Sequence, residues 1–257
     1  MRILTAARDL RRRHARERQG LFVAEGVRAV EELLRSPLRI RGALVTDDAP
    51  ESNRRQALVS AFNDRGVPIQ EVTAAEFTSA ADTETPQGIL AIAEVPHYSL
   101  SDLQDQQNIR LIVLDAVQDP GNVGTILRTS AALGASAIVS LPGTVDLWNA
   151  KVVRSSMGAH FHHPALACTW EELTSFLSRT GTVLWGSDME GEAISAQARD
   201  QEQLPARLAL AVGNEGSGLS AQTRAAATKL IAVEIEPGVE SLNVAVATGI
   251  MLYELRR

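Results

Sequence analysis

The sequence predicts an α/β protein of two units: a smaller N-terminal α/β/α layer and a C-terminal α/β domain built on a parallel sheet. Three observations carry this. Strand-like and helix-like segments alternate along the chain, the pattern of helices layered on a sheet. The segment Arg110–Val117 (RLIVLDAV) is a near-continuous apolar run, as a strand buried on both faces of a parallel sheet requires. The polar stretch His97–Asn108 follows Pro96, contains few large apolar residues and divides the alternation in two. The expected boundaries are 1–97 for the first unit, 98–108 for a linker or short helix between them and 109–257 for the second.

In the first unit a helix is expected through Arg8–Arg18, followed by a strand at Leu21–Val23. Gly26–Leu34 reads as a helix because Val27, Val30, Leu33 and Leu34 recur at helical spacing. Strand Ile40–Thr46, helix Arg54–Phe62, strand Ile69–Val72, helix Ala74–Ala80 and strand Gly88–Val95 complete it.

The second unit opens with strand Arg110–Val117 and the turn DPGN. Helix Val123–Leu133 follows, with Asn122 expected as its N-cap and Gly134 as its C′ residue. Next come strand Ala137–Leu141, helix Asn149–Met157, strands Val183–Ser187 and Leu208–Val212, helix Ala221–Ala227, strand Leu230–Ile235 and closing helix Val244–Leu255. In such a doubly wound sheet, ligands bind beyond the carboxyl ends of the strands.

Composition limits what the chain does. At 257 residues, with 45% hydrophobic and 22% charged residues, it excludes collagen-like, low-complexity and disordered classes. Cys168 is the only cysteine, so no intrachain disulfide forms and a reducing compartment is expected. No apolar run approaches the ~18 residues of a membrane helix. The N-terminus carries basic residues without an apolar core, so no signal peptide is read there and the expected location is cytoplasmic.

Net charge is −6, which argues against a generic nucleic-acid binder. The charge is uneven, however. Residues 1–97 hold 14 Arg and no Lys against 14 acidic residues, and the remainder holds 11 basic against 17 acidic. Arg2, Arg8, Arg11, Arg12, Arg13, Arg16 and Arg18 crowd the start. Such a run is either a phosphate-binding arm or a solvated helix face.

Three strand-end loops stand out. The first, Asp119–Arg128 (DPGNVGTILR), turns into a helix whose N-terminus can face an anion. Alone it is equally a capped turn with a surface arginine, and its spacing is not the GxGxxG of dinucleotide sites. The second, Gly213–Leu219 (GNEGSGL), has glycines that allow close backbone approach. Glu215 among them needs a partner to be tolerated. The third, Glu236–Asn243 (EPGVESLN), leads into a helix of small residues suited to tight packing.

In this order and spacing, NxGxxxR (Asn122, Gly124, Arg128), GNEGxGL (Gly213–Leu219) and SLNVAxA (Ser241–Ala247) resemble the SpoU family of RNA ribose 2′-O-methyltransferases. The resemblance runs from about Leu111 to the C-terminus. Val153–Ala159 (VRSSMGA), with Phe161 and Pro164, also looks like the family, as do FVAEG at Phe22–Gly26 and TPQGILA at Thr85–Ala91 in its RNA-binding extension.

The resemblance implies a deep trefoil knot holding bent S-adenosylmethionine, with adenine bound by backbone groups at Gly213, Val233, Ile235 and Leu242 and with Asn214 and Gly218 beside it. Where the family commonly has Ile-Pro-Met before the third loop, this chain has Val233-Glu234-Ile235. It implies Arg128 as the residue activating the ribose hydroxyl, with Asn122, Glu215, Ser241 and Asn243 completing the catalytic set. A guanidinium is a poor base, so Arg128 is expected to fix an RNA phosphate that relays the proton. The resemblance further implies a homodimer through the closing helix, and an N-terminal unit gripping RNA. Arg8, Arg11, Arg12, Arg13, Arg16, Arg18 and Arg154 are the RNA-contact candidates.

The expected reaction is S-adenosylmethionine-dependent 2′-O-methylation of ribosomal RNA. The alternatives are transfer RNA as substrate or a non-catalytic RNA-binding assembly factor of the same fold; a nucleotide-dependent oxidoreductase ranks below both. No metal is expected. His160, His162 and His163 read as packing and surface residues, and Cys168 lacks an activating base. Trp148, Trp170 and Trp185 read as core or interface.

Overall fold

The computed structural model describes residues 2–46, 53–194 and 204–256. It divides into two compact units. The first takes residues up to Pro96 together with Trp148–His162, and the second takes His97–Leu147 and the chain from His163 onward.

The first unit carries α1 (Ile3–Asp9), α2 (Arg13–Gln19), β1 (Leu21–Glu25), α3 (Val27–Arg35), β2 (Ile40–Val45), α4 (Asn53–Asp64), β3 (Ile69–Glu71), α5 (Ala74–Ala80) and β4 (Ile89–Glu94). Its four strands run in the order β1-β4-β2-β3. β4 is antiparallel to both β1 and β2, and β2 pairs with β3 in parallel. One apolar cluster joins Ile3, Leu4, Ala7 and Leu10 to Leu21, Val23, Leu44, Phe77, Leu90 and Ile92. Phe22 points the other way, as alternate strand residues must, with its ring 4.4 Å from Trp148 and 5.7 Å from Phe161.

The single expected helix Arg8–Arg18 is two helices. Leu10 is buried in the core, and the Arg16 guanidinium donates back to the carbonyls of Leu10 (2.7 Å) and Arg11 (3.0 Å), holding the break between the two helices.

The second unit carries β5 (Ile109–Asp115), α6 (Pro120–Ala132), β6 (Ala137–Ser140), β7 (Ala165–Ala167), α8 (Trp170–Thr180), β8 (Val183–Ala193), β9 (Arg207–Gly213), α9 (Ala221–Ala226), β10 (Lys229–Ala232) and α10 (Val244–Glu254). The six strands run in the order β10-β8-β9-β5-β6-β7, and every pair is parallel. Leu111, Val113, Val139, Ala209 and Ala211 face Leu173, Phe176 and Leu177 of α8. The alternate residues Ile112, Leu114, Ile138, Leu208 and Leu210 are equally buried on the opposite face, which is why β5 and β9 read as unbroken apolar runs.

Two stretches bear on the expected organisation. The polar stretch 98–108 takes the short-helix form: it makes a 3₁₀ turn, Leu100–Leu103, whose leucines join the core of the second unit. The helix α7 (Ala150–Ser155) lies in the first unit, against β1, because Trp148 and Phe161 on either side of it pack on Phe22.

β5 feeds outward through α6 to β6, while β9 flanks it on the other side. The chain direction across the sheet therefore reverses between β5 and β9, the position where open α/β sheets form a crevice at their carboxyl edge.

Candidate active site

The three loops leave the carboxyl ends of β5, β9 and β10, and the polar residues on them join. Asp119, not Asn122, caps α6: its carboxylate accepts the Asn122 amide at 2.8 Å, and Pro120 supplies the first helical position. DPGN signals this cap directly, because proline is favoured one residue after the cap.

Freed from capping, the Asn122 side chain links the other loops. It donates from Nδ2 to Glu215 Oε1 at 3.0 Å and accepts at Oδ1 from Asn243 Nδ2 at 2.9 Å. Glu215 also accepts the backbone amides of Asp119 (3.0 Å) and Gln118 (3.1 Å). Asn243 Oδ1 caps α10 through Ala245 N at 2.9 Å and Val246 N at 3.3 Å. Each amide orientation is forced. An ionised carboxylate only accepts, so Asn122 must turn its NH₂ toward Glu215 and its oxygen toward Asn243. Burial raises the Glu215 pKa, but the donors from Asn122, Asp119 and Gln118 outweigh it, and the carboxyl lies below its ordinary value of 4.5.

The Gly213–Leu219 turn is pinned at both ends to the end of β5. Asn214 donates from Nδ2 to Ala116 O at 3.0 Å while its Oδ1 accepts Gly216 N at 2.9 Å and Ser217 N at 3.0 Å. Asp115 Oδ2 accepts Ser220 N at 2.8 Å. Asp115 and Asn214 are positioning residues that sequence reasoning did not give these roles. Asn214 and Gly218 also exchange backbone bonds, and a Cβ on Gly213 would sit 2.2 Å from the Gly218 carbonyl carbon. Glycine is therefore obligatory at 213, and Gly218 has a φ of +68°.

β10 ends at Ala232, earlier than the expected Ile235, because its pairing with β8 stops at Ala193. Within residues 233–242, one backbone bond, Val239 N to Glu236 O, is made among the described residues. Val233, Ile235 and Leu242 are half-buried there, and Ser241 is exposed. This open backbone, held near the glycine turn through Asn243, Asn122 and Glu215, has unused donors and acceptors for the edge of an adenine, so the residues present fit S-adenosylmethionine.

Arg128 is exposed on α6, with Gly124 one turn before it on the same face, and has no hydrogen-bond or ion-pair partner among the described residues. Asn122 is not its partner.

The other candidate contacts lie on the first unit. Arg8 Nε donates to Ser79 Oγ at 2.7 Å and Arg11 to Ser79 O at 3.3 Å. Arg12 and Arg13 pair with Asp9 and Glu17. Arg18 is exposed. Arg16 is 5% exposed and leaves the phosphate-binding set, since its guanidinium bonds backbone carbonyls. Arg154 pairs with Asp82 at 3.3 Å.

His160 is buried against Trp148, with ring centroids 3.8 Å apart, His162 is exposed, and His163 is buried, with burial lowering its pKa. No group of three or more potential metal ligands occurs among the described residues. Burial first, then Glu172, pushes the Cys168 thiol up to about 12, which removes it as a nucleophile. Trp148 and Trp185 are core residues, and Trp170 packs on the core edge.

Comparison with known proteins gives the family. The model of the SpoU rRNA methylase family matches residues 110–253, and that of an MRM3-like substrate-binding domain matches residues 3–91. The 23S rRNA (guanosine(2553)-2′-O)-methyltransferase RlmP of Bacillus subtilis (strain 168) is 32% identical over 97% of this chain and 94% of its own. The crystal structure of an AdoMet-bound rRNA methyltransferase from Sinorhizobium meliloti superposes with a TM-score of 0.83 at 28% identity, covering 99% of this chain and 94% of that one. The SpoU methyltransferase AviRb from Streptomyces viridochromogenes, in complex with AdoMet, gives a TM-score of 0.84 at 25% identity, covering 99% and 97%. The chain belongs to the SpoU rRNA methylase family.

Proposed function

We propose that the chain transfers a methyl group from S-adenosylmethionine to a ribose 2′-hydroxyl of ribosomal RNA. The observation that carries this reading is the joined set Glu215–Asn122–Asn243, which ties all three strand-end loops together at the start of the helix that carries Arg128, a residue with no hydrogen-bond or ion-pair partner among the described residues. Ribosomal RNA is favoured over transfer RNA because several relatives whose similarity spans both units, among them the Bacillus subtilis and Sinorhizobium meliloti proteins, are named rRNA methyltransferases.

S-adenosylmethionine, held by backbone groups at Gly213, Val233, Ile235 and Leu242, supplies a sulfonium-bound electrophilic methyl. The protein's part is alignment and proton removal. Glu215, Asn122 and Asn243 fix the loops that bound the ribose position, and in-line positioning of this kind supplies several kcal/mol of barrier reduction. Arg128 holds an RNA phosphate, and a phosphate oxygen takes the hydroxyl proton as the O2′–carbon bond forms and the carbon–sulfur bond breaks. Ser241 hydrogen-bonds the ribose.

The reading includes a homodimer. Val246, Ile250 and Tyr253 lie exposed at i, i+4 and i+7 of α10, an apolar stripe suited to a second copy. Ile250→Arg should convert a dimer into a monomer by sedimentation. It also includes a trefoil-knotted path, with the C-terminal segment threaded through a loop, and a cytoplasmic location. Among the described residues no helix is long and apolar enough to cross a membrane.

The test is transfer of labelled methyl to total RNA separated into large-subunit, small-subunit and transfer RNA, with Arg128→Ala alongside. Label in a ribosomal fraction, lost with the variant, is expected. Label in transfer RNA would move the substrate class. No label in any fraction with S-adenosylmethionine bound would favour the assembly-factor reading.

A further inference from the structure

The turn that ends α7 presents a residue whose backbone and surroundings disagree. Ser156 is the C-cap of α7, and Met157 follows with φ +52°. A left-handed residue at this position is ordinarily glycine, since a side chain there crowds its own backbone. Methionine accepts that cost without gaining burial, because Met157 stays 44% exposed.

The turn around it is rigid. Ser156 is fully buried, with its Oγ donating to Val153 O at 2.8 Å. A Cβ on Gly158 would lie 2.5 Å from Glu32 Cβ and Cγ, so the turn rests directly on α3. Phe161 follows, stacked on Phe22. The backbone of Met157, and with it the bond from Cα to Cβ, is thus set by packing of its neighbours.

Two cations precede it in sequence. Arg154 stands three residues before it and Lys151, exposed and one of two lysines in the chain, three before that. Arg154 is braced: Asp82 Oδ2 meets its guanidinium at 3.3 Å, and Glu25 on β1 holds the Asp82 amide at 2.7 Å. An exposed apolar side chain on a rigid turn, close in sequence to two cations, matches the needs of RNA contact, in which cations take phosphates and an apolar side chain wedges against an unstacked base.

We infer that Met157 is an RNA-contact residue that packs against a base displaced from its stack, with Arg154 and Lys151 holding the adjoining phosphates. This rests on the RNA methyltransferase reading above and adds to it a surface on the first unit that singles out a nucleotide.

The test is Met157→Gly in the full chain, measured by thermal midpoint, affinity for S-adenosylmethionine, and affinity for deproteinised large-subunit rRNA. Glycine relieves the backbone, so the midpoint should stay or rise and cofactor affinity should not change. RNA affinity should fall about tenfold, the loss expected when an apolar side chain buried against a base is removed. Met157→Asn, which tolerates the same backbone, should lose RNA affinity alike. Arg154→Gln should lower the salt dependence of RNA binding, while Met157→Gly should leave it unchanged. A Met157→Gly protein that binds RNA as the wild type does overturns the inference, and so does one that is destabilised. A wild type that retains no RNA overturns the functional reading and this inference together. A wild type that binds RNA without methylating it overturns the functional reading alone, and the comparison with Met157→Gly still decides this one.

Discussion

Asn243 donates to Asn122 across 2.9 Å, and the two residues are separated by 121 positions in the chain. The same Asn243 side chain caps α10 with its oxygen. One amide therefore does two jobs, and substitution separates them. Asparagine to aspartate keeps an oxygen for the cap and removes the donor toward Asn122. Asn243→Asp should hold the thermal midpoint and lose methyl transfer. Asn243→Ala should lose both, with about 1 kcal/mol of stability from the missing cap. Equal activity in Asn243→Asp and wild type would remove the network from the mechanism.

The Glu215–Asn122 contact predicts an ordering of variants. Asn122→Ala deletes one donor to a carboxylate that keeps two backbone amides. Asn122→Asp sets a second carboxylate against the first, and like charges at hydrogen-bond distance repel. The aspartate variant should be the less active of the two, and its deficit should shrink as the pH falls toward the carboxylate range. A pH profile of methyl transfer for both variants checks this.

Gly213 and Gly216 lie in one turn but differ in the space above them. A Cβ at 213 meets backbone at 2.2 Å, whereas one at 216 comes no nearer than 3.6 Å to the Asn214 side chain. Gly213→Ala should cost roughly 2 kcal/mol or more and weaken S-adenosylmethionine binding. Gly216→Ala should be close to neutral. Thermal melts with and without cofactor separate the two effects.

Much of this site was legible because its signals are local: a proline and glycines after apolar strands, at spacings that repeat a known order. What was not legible depends on tertiary partners. Nothing near Asn122 in sequence says that its side chain would serve Glu215 and Asn243 rather than its own helix. The three-residue strand Ala165–Ala167 is too short to show a period, yet Cys168 next to it bonds back to Ser140 and completes the sheet edge. α8 carries local signals throughout: Thr169 and Glu172 form a capping box, Leu173, Phe176 and Leu177 fall at helical spacing, and Gly181 ends the helix in the left-handed region. The placement of Trp148–His162 with the first unit was beyond sequence, since it rests on aromatic contacts with Phe22, more than a hundred residues earlier.

His163 predicts a pH dependence of stability. It is 7% exposed, and its Nε2 has no partner among the described residues. Burial lowers its pKa below the ordinary 6.5. The unfolded chain therefore binds a proton that the folded chain resists, and stability falls as the pH drops below 6.5 toward the folded-state value. Glu215 acts separately and lower: its depressed pKa stabilises the fold above 4.5, and that contribution disappears as the pH falls through the folded-state value. His163→Phe should flatten the upper part of a plot of thermal midpoint against pH and leave the part below 4.5 in place.

Arg16 and Arg18 look alike in sequence, two positions apart in one basic run, and the fold gives them opposite work. Arg16 Nη1 reaches the carbonyls of Leu10 and Arg11 from a buried position. Truncating it leaves those carbonyls without their donor, at a cost of about 1–3 kcal/mol for buried polar groups. Arg18 is exposed, with no hydrogen-bond or ion-pair partner among the described residues, so truncating it removes a charge and little else. Arg16→Ala should melt earlier and, at temperatures where it is folded, bind RNA with an unchanged salt dependence. Arg18→Ala should melt with the wild type and bind RNA with a salt slope shallower by about one. If instead Arg18→Ala leaves the slope unchanged, the basic run at the start of the chain is a solvated helix face, and RNA contact by the first unit has to come from elsewhere on its surface.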